Sequence, residues 1–166
     1  MARWLAKSEP GVYAYADLVR DRRTEWDGVH NALALRHLKQ MTRGDAMMFY
    51  HSGDERAVVG LARVDGTPHP DPGDDRGSWS VAVVPVRALR GPVTLAELRG
   101  DPALAGFVLF RMSRLSVLPV TDDQWAAILA HEAGSAGSDR TTTAGRSGRA
   151  RASGSRRRGT SARRTR

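Results

Sequence analysis

A chain of 166 residues with 40% hydrophobic content has room for one ordinary domain and enough apolar surface for a real core. No run approaches the roughly 18–20 apolar residues of a membrane span, Met1-Ala2-Arg3-Trp4 lacks the apolar stretch of a secretory signal, and the absence of cysteine excludes disulfides and thiolate metal sites. The net charge of +8 divides unevenly: residues 134–166 hold ten arginines and one acid, Asp139, whereas the first 133 hold sixteen Lys or Arg against seventeen acids.

Residues 3–7 (Arg-Trp-Leu-Ala-Lys) read as a short strand broken by Ser8-Glu9-Pro10-Gly11, and a helix is expected around residues 15–21. Trp26-Asp27-Gly28-Val29-His30-Asn31 reads as a loop, followed by a helix over residues 32–41 with Leu35 and Leu38 at i, i+3 spacing. Gly44-Asp45 turns the chain into an apolar strand over 46–51, and residues 56–64 after Gly53-Asp54 complete a hairpin with it. The prolines and acids of 69–75 argue against regular structure there, and 79–89 is a third long strand. Thr94 with Glu97, and Thr121 with Gln124, have capping-box spacing and mark two helix starts. Between them, residues 107–120 alternate enough to predict a strand. Several non-local strands with short edge helices imply a small α+β barrel.

After Ala133 the sequence is Gly, Ser, Thr, Ala and Arg without a large apolar residue, which predicts a domain over 1–133 and a disordered basic tail over 134–166. Such a tail either contacts polyanions non-specifically or is a solvated extension. The domain itself is close to neutral, so recognition must come from particular side chains rather than from charge.

Four segments place polar groups beside aromatics, as a site for a planar, hydrogen-bonding ligand requires. They are Trp4-Leu5-Ala6-Lys7-Ser8-Glu9-Pro10, Trp26-Asp27-Gly28-Val29-His30-Asn31, Gly44-Asp45 through Phe49-Tyr50-His51-Ser52, and Arg114-Leu115-Ser116-Val117-Leu118-Pro119-Val120. Trp26 can stack on a base and Gly28 permits close backbone approach; the alternative is a core tryptophan beside a turn glycine. Asp27 and Asn31 offer edge acceptors and an amide, though either can cap the following helix. Strand alternation sends Phe49 and His51 to one face and Tyr50 and Ser52 to the other, so only one pair can face a pocket directly. Lys7, Ser8, Arg114 and Ser116 suit phosphate or base contacts, or are structural.

In this order the four segments resemble the hallmark blocks of the EVE domain family, from Arg3 to about residue 129. The resemblance implies a PUA-like β-barrel that recognises a modified base in DNA or RNA, such as a methylated cytosine or adenine. It implies a site drawn from Lys7, Ser8, Trp26, Asp27, Gly28, Val29, Asn31, Phe49, Tyr50, His51, Ser52, Arg114, Leu115 and Ser116. This chain departs from the family where an arginine usually follows the valine: here it is His30, followed by Ala32-Leu33-Ala34-Leu35, which weakens a cationic contact. The expected protein is a cytoplasmic monomer that binds nucleic acid without catalysis, cofactor or metal. Two other classes compete. One is a hydrolase of modified nucleosides using Lys7, Ser8 and Glu9, which strand alternation disfavours because it separates Ser8 from its neighbours. The other is a protein-interaction domain with a basic arm.

Overall fold

In the computed structural model, which describes residues 1–138, strands and helices follow one another as β1 (Arg3–Ser8), α1 (Tyr15–Asp21), β2 (Thr24–Trp26), α2 (Ala32–Gln40), β3 (Ala46–His51), β4 (Ala57–Val64), β5 (His69–Pro70), β6 (Trp79–Thr94), α3 (Leu95–Arg99), α4 (Val108–Arg111), β7 (Val117–Pro119) and α5 (Asp122–Ser138). The strands form one sheet in the order β2-β6-β4-β3-β1-β7, with β5 added to β6. All neighbours are antiparallel except β1 and β3. A parallel pair cannot be joined by a tight turn, and the crossover between β1 and β3 accordingly carries α1, β2 and α2. β6 pairs with β2 through Val81–Val83 and with β4 from Val83 to Thr94, and two register shifts in the β4 pairing bend it. The outcome is the mixed α+β fold expected, its sheet curled into a half-barrel.

The core is continuous, and Leu5, Leu18, Phe49, Leu98, Phe107 and Leu118 are fully buried within it. Phe49 sits at the centre of an aromatic cluster, edge-on to Tyr15 at 5.3 Å and to Trp26 at 5.2 Å between ring centroids. At the far side, Arg87 grips Glu132 through two hydrogen bonds of 2.7 and 2.9 Å, and the backbone N–H of Arg90 donates to the same carboxylate. That pairing ties α5 to β6.

The helix over 15–21, the strands over 46–51 and 57–64 and both capping boxes form as predicted. Four expectations need correction. Trp26 closes a three-residue strand instead of opening a loop, because Thr24–Trp26 pairs with the middle of β6. Within 69–75, His69 and Pro70 pair with Ser80 and Trp79 as a two-residue strand, which leaves Pro70 on an edge where a missing N–H is tolerated. Most of 107–120 is not a strand: Val108–Arg111 is one helical turn, and pairing begins only at Val117. Finally, α5 continues to Ser138, five residues past the tail boundary set at Ala133; residues 139–166, the rest of the predicted tail, lie outside the described residues.

Candidate nucleic-acid interface

Where β1 ends and β2 runs into its following loop, the chain encloses an open cleft of about 470 Å³. Its walls are residues 7–9, Val12 and Tyr13, and residues 24–28. The cleft exists because β1 and β2 lie in different parts of the curled sheet, with α1 spanning the gap between them. A ligand the size of a nucleobase fits a volume of this order, since small-molecule pockets run from ~300 to ~1,000 Å³.

Trp26 serves two purposes at once. Its ring packs edge-on against Phe49, leaving only 7% of the residue exposed, and that remnant opens on the cleft. Beyond it Gly28 takes φ +69°, a left-handed turn that glycine adopts without strain. Val29 is buried, and its carbonyl accepts a hydrogen bond of 2.9 Å from the Ser78 hydroxyl, which anchors the loop to β6. Asp27 remains exposed on the rim. Partial burial and the nearby Asp71 and Glu25 charges push its carboxyl above the usual carboxylate range. With Glu9 and Glu25 also on the walls, the cleft is rich in acceptors. That composition suits the amino edge of a base and repels a phosphate.

On the opposite wall Ser8 donates its hydroxyl to the Tyr13 carbonyl at 2.6 Å, and Lys7 donates its amine to the Ser113 carbonyl at 2.9 Å. Burial pulls the Lys7 amine below its ordinary value. The serine proton and the lysine amine therefore point to different partners and do not form a nucleophile–base pair.

The remaining sequence candidates do not line the cleft. The Asn31 side-chain oxygen accepts from the backbone N–H groups of Leu33 and Ala34, both at 3.0 Å, so it caps α2. Phe49 lies wholly behind Trp26. His51 accepts from the Tyr15 N–H through Nε2 at 3.0 Å, which places its proton on Nδ1, 2.7 Å from the Glu55 carboxylate. It fastens the start of α1 to the end of β3. Ser52 and Ser8 are joined through their backbones, Ser52 donating at 2.9 Å. Leu115 is buried, the Ser116 carbonyl accepts from the Lys7 N–H at 2.8 Å, and Arg114 is exposed on the same loop. Tyr50 faces away from the Trp26 cluster, on the side of Lys7, its cross-strand partner.

His30 is not left without a cation. The loop of residues 71–77 brings the Arg76 guanidinium to 3.2 Å from His30 Nε2, and Asp74 approaches the other ring nitrogen at 3.5 Å. Among the cleft residues, Val12, Tyr13, Thr24 and Glu25 escaped sequence reading. Thr24 was within reach of it: had the strand before the loop been identified, alternation would have put Thr24 on the face of Trp26.

The EVE domain family pattern matches residues 2–131. Human thymocyte nuclear protein 1 is 32% identical over 167 aligned positions, covering 79% of this chain and 74% of that protein. The human THYN1 structure solved in complex with 5-methylcytosine-containing DNA superposes with a TM-score of 0.71 at 30% identity, over 80% of this chain and 98% of that one. Rpa0253 from Rhodopseudomonas palustris gives 0.75 at 37% identity, over 80% and 94%.

Proposed function

The chain belongs to the EVE domain family, and from that premise we propose that it binds a modified base of DNA, 5-methylcytosine being the first candidate, and performs no chemistry on it. One observation carries the reading: Trp26, Asp27 and Gly28 form one wall of a base-sized cleft whose other wall is the end of β1. A base inside it meets the exposed part of the Trp26 ring and several carboxylates. Cytosine presents an amino donor on its pairing edge, which those carboxylates can accept. The solved complex of the human relative with 5-methylcytosine-containing DNA supports the choice of ligand. A base inside a duplex cannot reach such a cleft, so binding requires the nucleotide to be single-stranded or turned out of the stack.

Titration of the full chain with matched oligonucleotides, unmodified or carrying one methylated or hydroxymethylated cytosine or one methylated adenine, tests this. The expected result is a preference for one modified strand that Trp26→Ala abolishes. Because Trp26 also supports Phe49, Asp27→Asn provides a second arm: an exposed acceptor is weakened, the fold stays intact, and the preference should fall by about tenfold or more, as loss of a charge-assisted hydrogen bond implies. Equal affinity for every strand in the unaltered chain would sink the proposal. N4-acylated cytidine should survive incubation; product that disappears in Lys7→Ala would instead establish a hydrolase.

A further inference from the structure

The face of Tyr50, on the other side of β3 from the Trp26 cluster, shows a donor without an acceptor. Tyr50 is 3% exposed. Among the described residues no hydrogen bond reaches its hydroxyl, yet no sealed polar side-chain atom lacks a partner, so the oxygen must touch the surface. Burial raises the phenol above its ordinary value, and the nearby Arg56 and Arg99 charges only partly oppose this. It therefore stays protonated at neutral pH and acts as a donor.

Cations surround it. Lys7 Nζ lies 5.9 Å from the Tyr50 ring centroid. Arg56 and Arg99 line one hollow of about 260 Å³ between the β3–β4 turn and α3. Arg56 sits there in a left-handed backbone conformation, φ +43°, uncommon for a residue with a side chain. Among the described residues, neither Arg56 nor Arg99 takes part in an ion pair. Their acidic neighbours are engaged elsewhere, Glu55 with His51 at 2.7 Å and Glu97 with the Thr94 cap, so Asp54 is the remaining acid on that rim.

We infer that Tyr50, Arg56 and Arg99, with Lys7 between them and the cleft, hold a backbone phosphodiester of the strand whose base enters beside Trp26. The inference rests on the base-binding reading and supplies what the cleft lacks. Glu9, Glu25 and Asp27 repel a phosphate, so the sugar–phosphate chain must leave the cleft toward positive charge. Lys7 lies on both surfaces and marks that path. The phosphodiester oxygen accepts from the tyrosine hydroxyl while the guanidiniums offset its charge.

The test measures binding of a short single strand, with and without 5-methylcytosine, to the full chain across a salt series. Arg56→Gly combined with Arg99→Gln removes both charges, and glycine suits the Arg56 backbone. The plot of log affinity against log salt should flatten by about 1.4, close to 0.7 per lost phosphate contact on a single strand. Affinity should fall equally for modified and unmodified strands, leaving their ratio intact. Tyr50→Phe should weaken binding severalfold without altering the slope. Replacing the phosphates that flank the base by uncharged methylphosphonates should erase the difference between the unaltered chain and the double variant. An unchanged slope in a double variant with normal thermal unfolding overturns the inference, as does a difference that persists on the methylphosphonate strand. A slope that flattens while no strand is preferred would instead count against the cleft alone.

Discussion

Asp45 is 1% exposed and holds four donors: Trp4 Nε1 at 2.9 Å and the Thr42 N–H at 3.0 Å on one oxygen, the Ala2 N–H at 3.2 Å and the Thr42 hydroxyl at 3.0 Å on the other. Burial alone would raise its carboxyl, but the hydrogen bonds to the ionised form outweigh this and hold it below the ordinary value. A carboxyl whose folded value lies below its unfolded one stabilises the fold fully above about pH 4, and that contribution is lost as pH falls through the lower folded value. Asp45→Asn turns an NH₂ group toward two donors, so at pH 7 it should cost roughly 1–3 kcal/mol for each donor orphaned. Urea midpoints measured from pH 7 down to pH 2 should show the gap between the two proteins narrowing only below about pH 4; a constant gap would mean that Asp45 is not ionised in the fold. Asn31 allows a similar separation of roles. If it acts only as the cap of α2, Asn31→Ala should lose about 0.5–2 kcal/mol of stability, while Asn31→Ser should restore the stability and keep the strand preference of the unaltered protein.

The elements depend on a few close approaches that no local pattern announces. Gly60 in β4 lies under Tyr15: a Cβ built there would fall 2.5 Å from the tyrosine ring, whose hydroxyl is tied to the Leu61 carbonyl at 2.7 Å and so cannot swing away. Gly60→Ala should therefore destabilise the protein by about 1–3 kcal/mol, the range for overpacking a filled core, as a lowered denaturation midpoint. Loss should be smaller in Gly60→Ala with Tyr15→Phe, where the ring is released. In sequence Gly60 looks like an ordinary strand glycine, because its constraint comes from a helix forty-five positions earlier. The single helical turn of α4 was hidden for a different reason. Over four residues a period of 3.6 and a period of two are hard to distinguish, and the contact that decides, Phe107 against Phe110 at 5.6 Å, is the i, i+3 spacing of a helix. The capping boxes at Thr94 and Thr121 were legible because both partners are local. Of the site, Trp26, Asp27 and Gly28 could be read because an aromatic, an acid and a glycine in succession carry their own chemistry. Tyr13 and Thr24 could not, since only the curl of the sheet brings them to the same cleft.

At the scale of the whole molecule, two kinds of binding are kept apart by where the charge lies. The described domain carries nearly equal numbers of cations and anions, while residues 139–166 hold ten arginines and a single acid. Contacts from such an arm are made to phosphates, fall steeply with salt and carry no sequence information. Contacts in a base cleft depend on ring faces and edge hydrogen bonds and change little with salt. A chain ending at Ser138 retains all of α5, including the Glu132 clasp to Arg87 and Arg90, and so should unfold at the same temperature as the full protein. Its affinity for every strand should drop, and its salt dependence should become much shallower, by up to about 0.7 for each arginine that had met a phosphate on a single strand. The ratio between modified and unmodified strands should be unchanged or rise, because the competing unspecific term has been removed. If that ratio instead fell to one on truncation, discrimination would reside in the arm, and neither Trp26 nor the cleft could account for it.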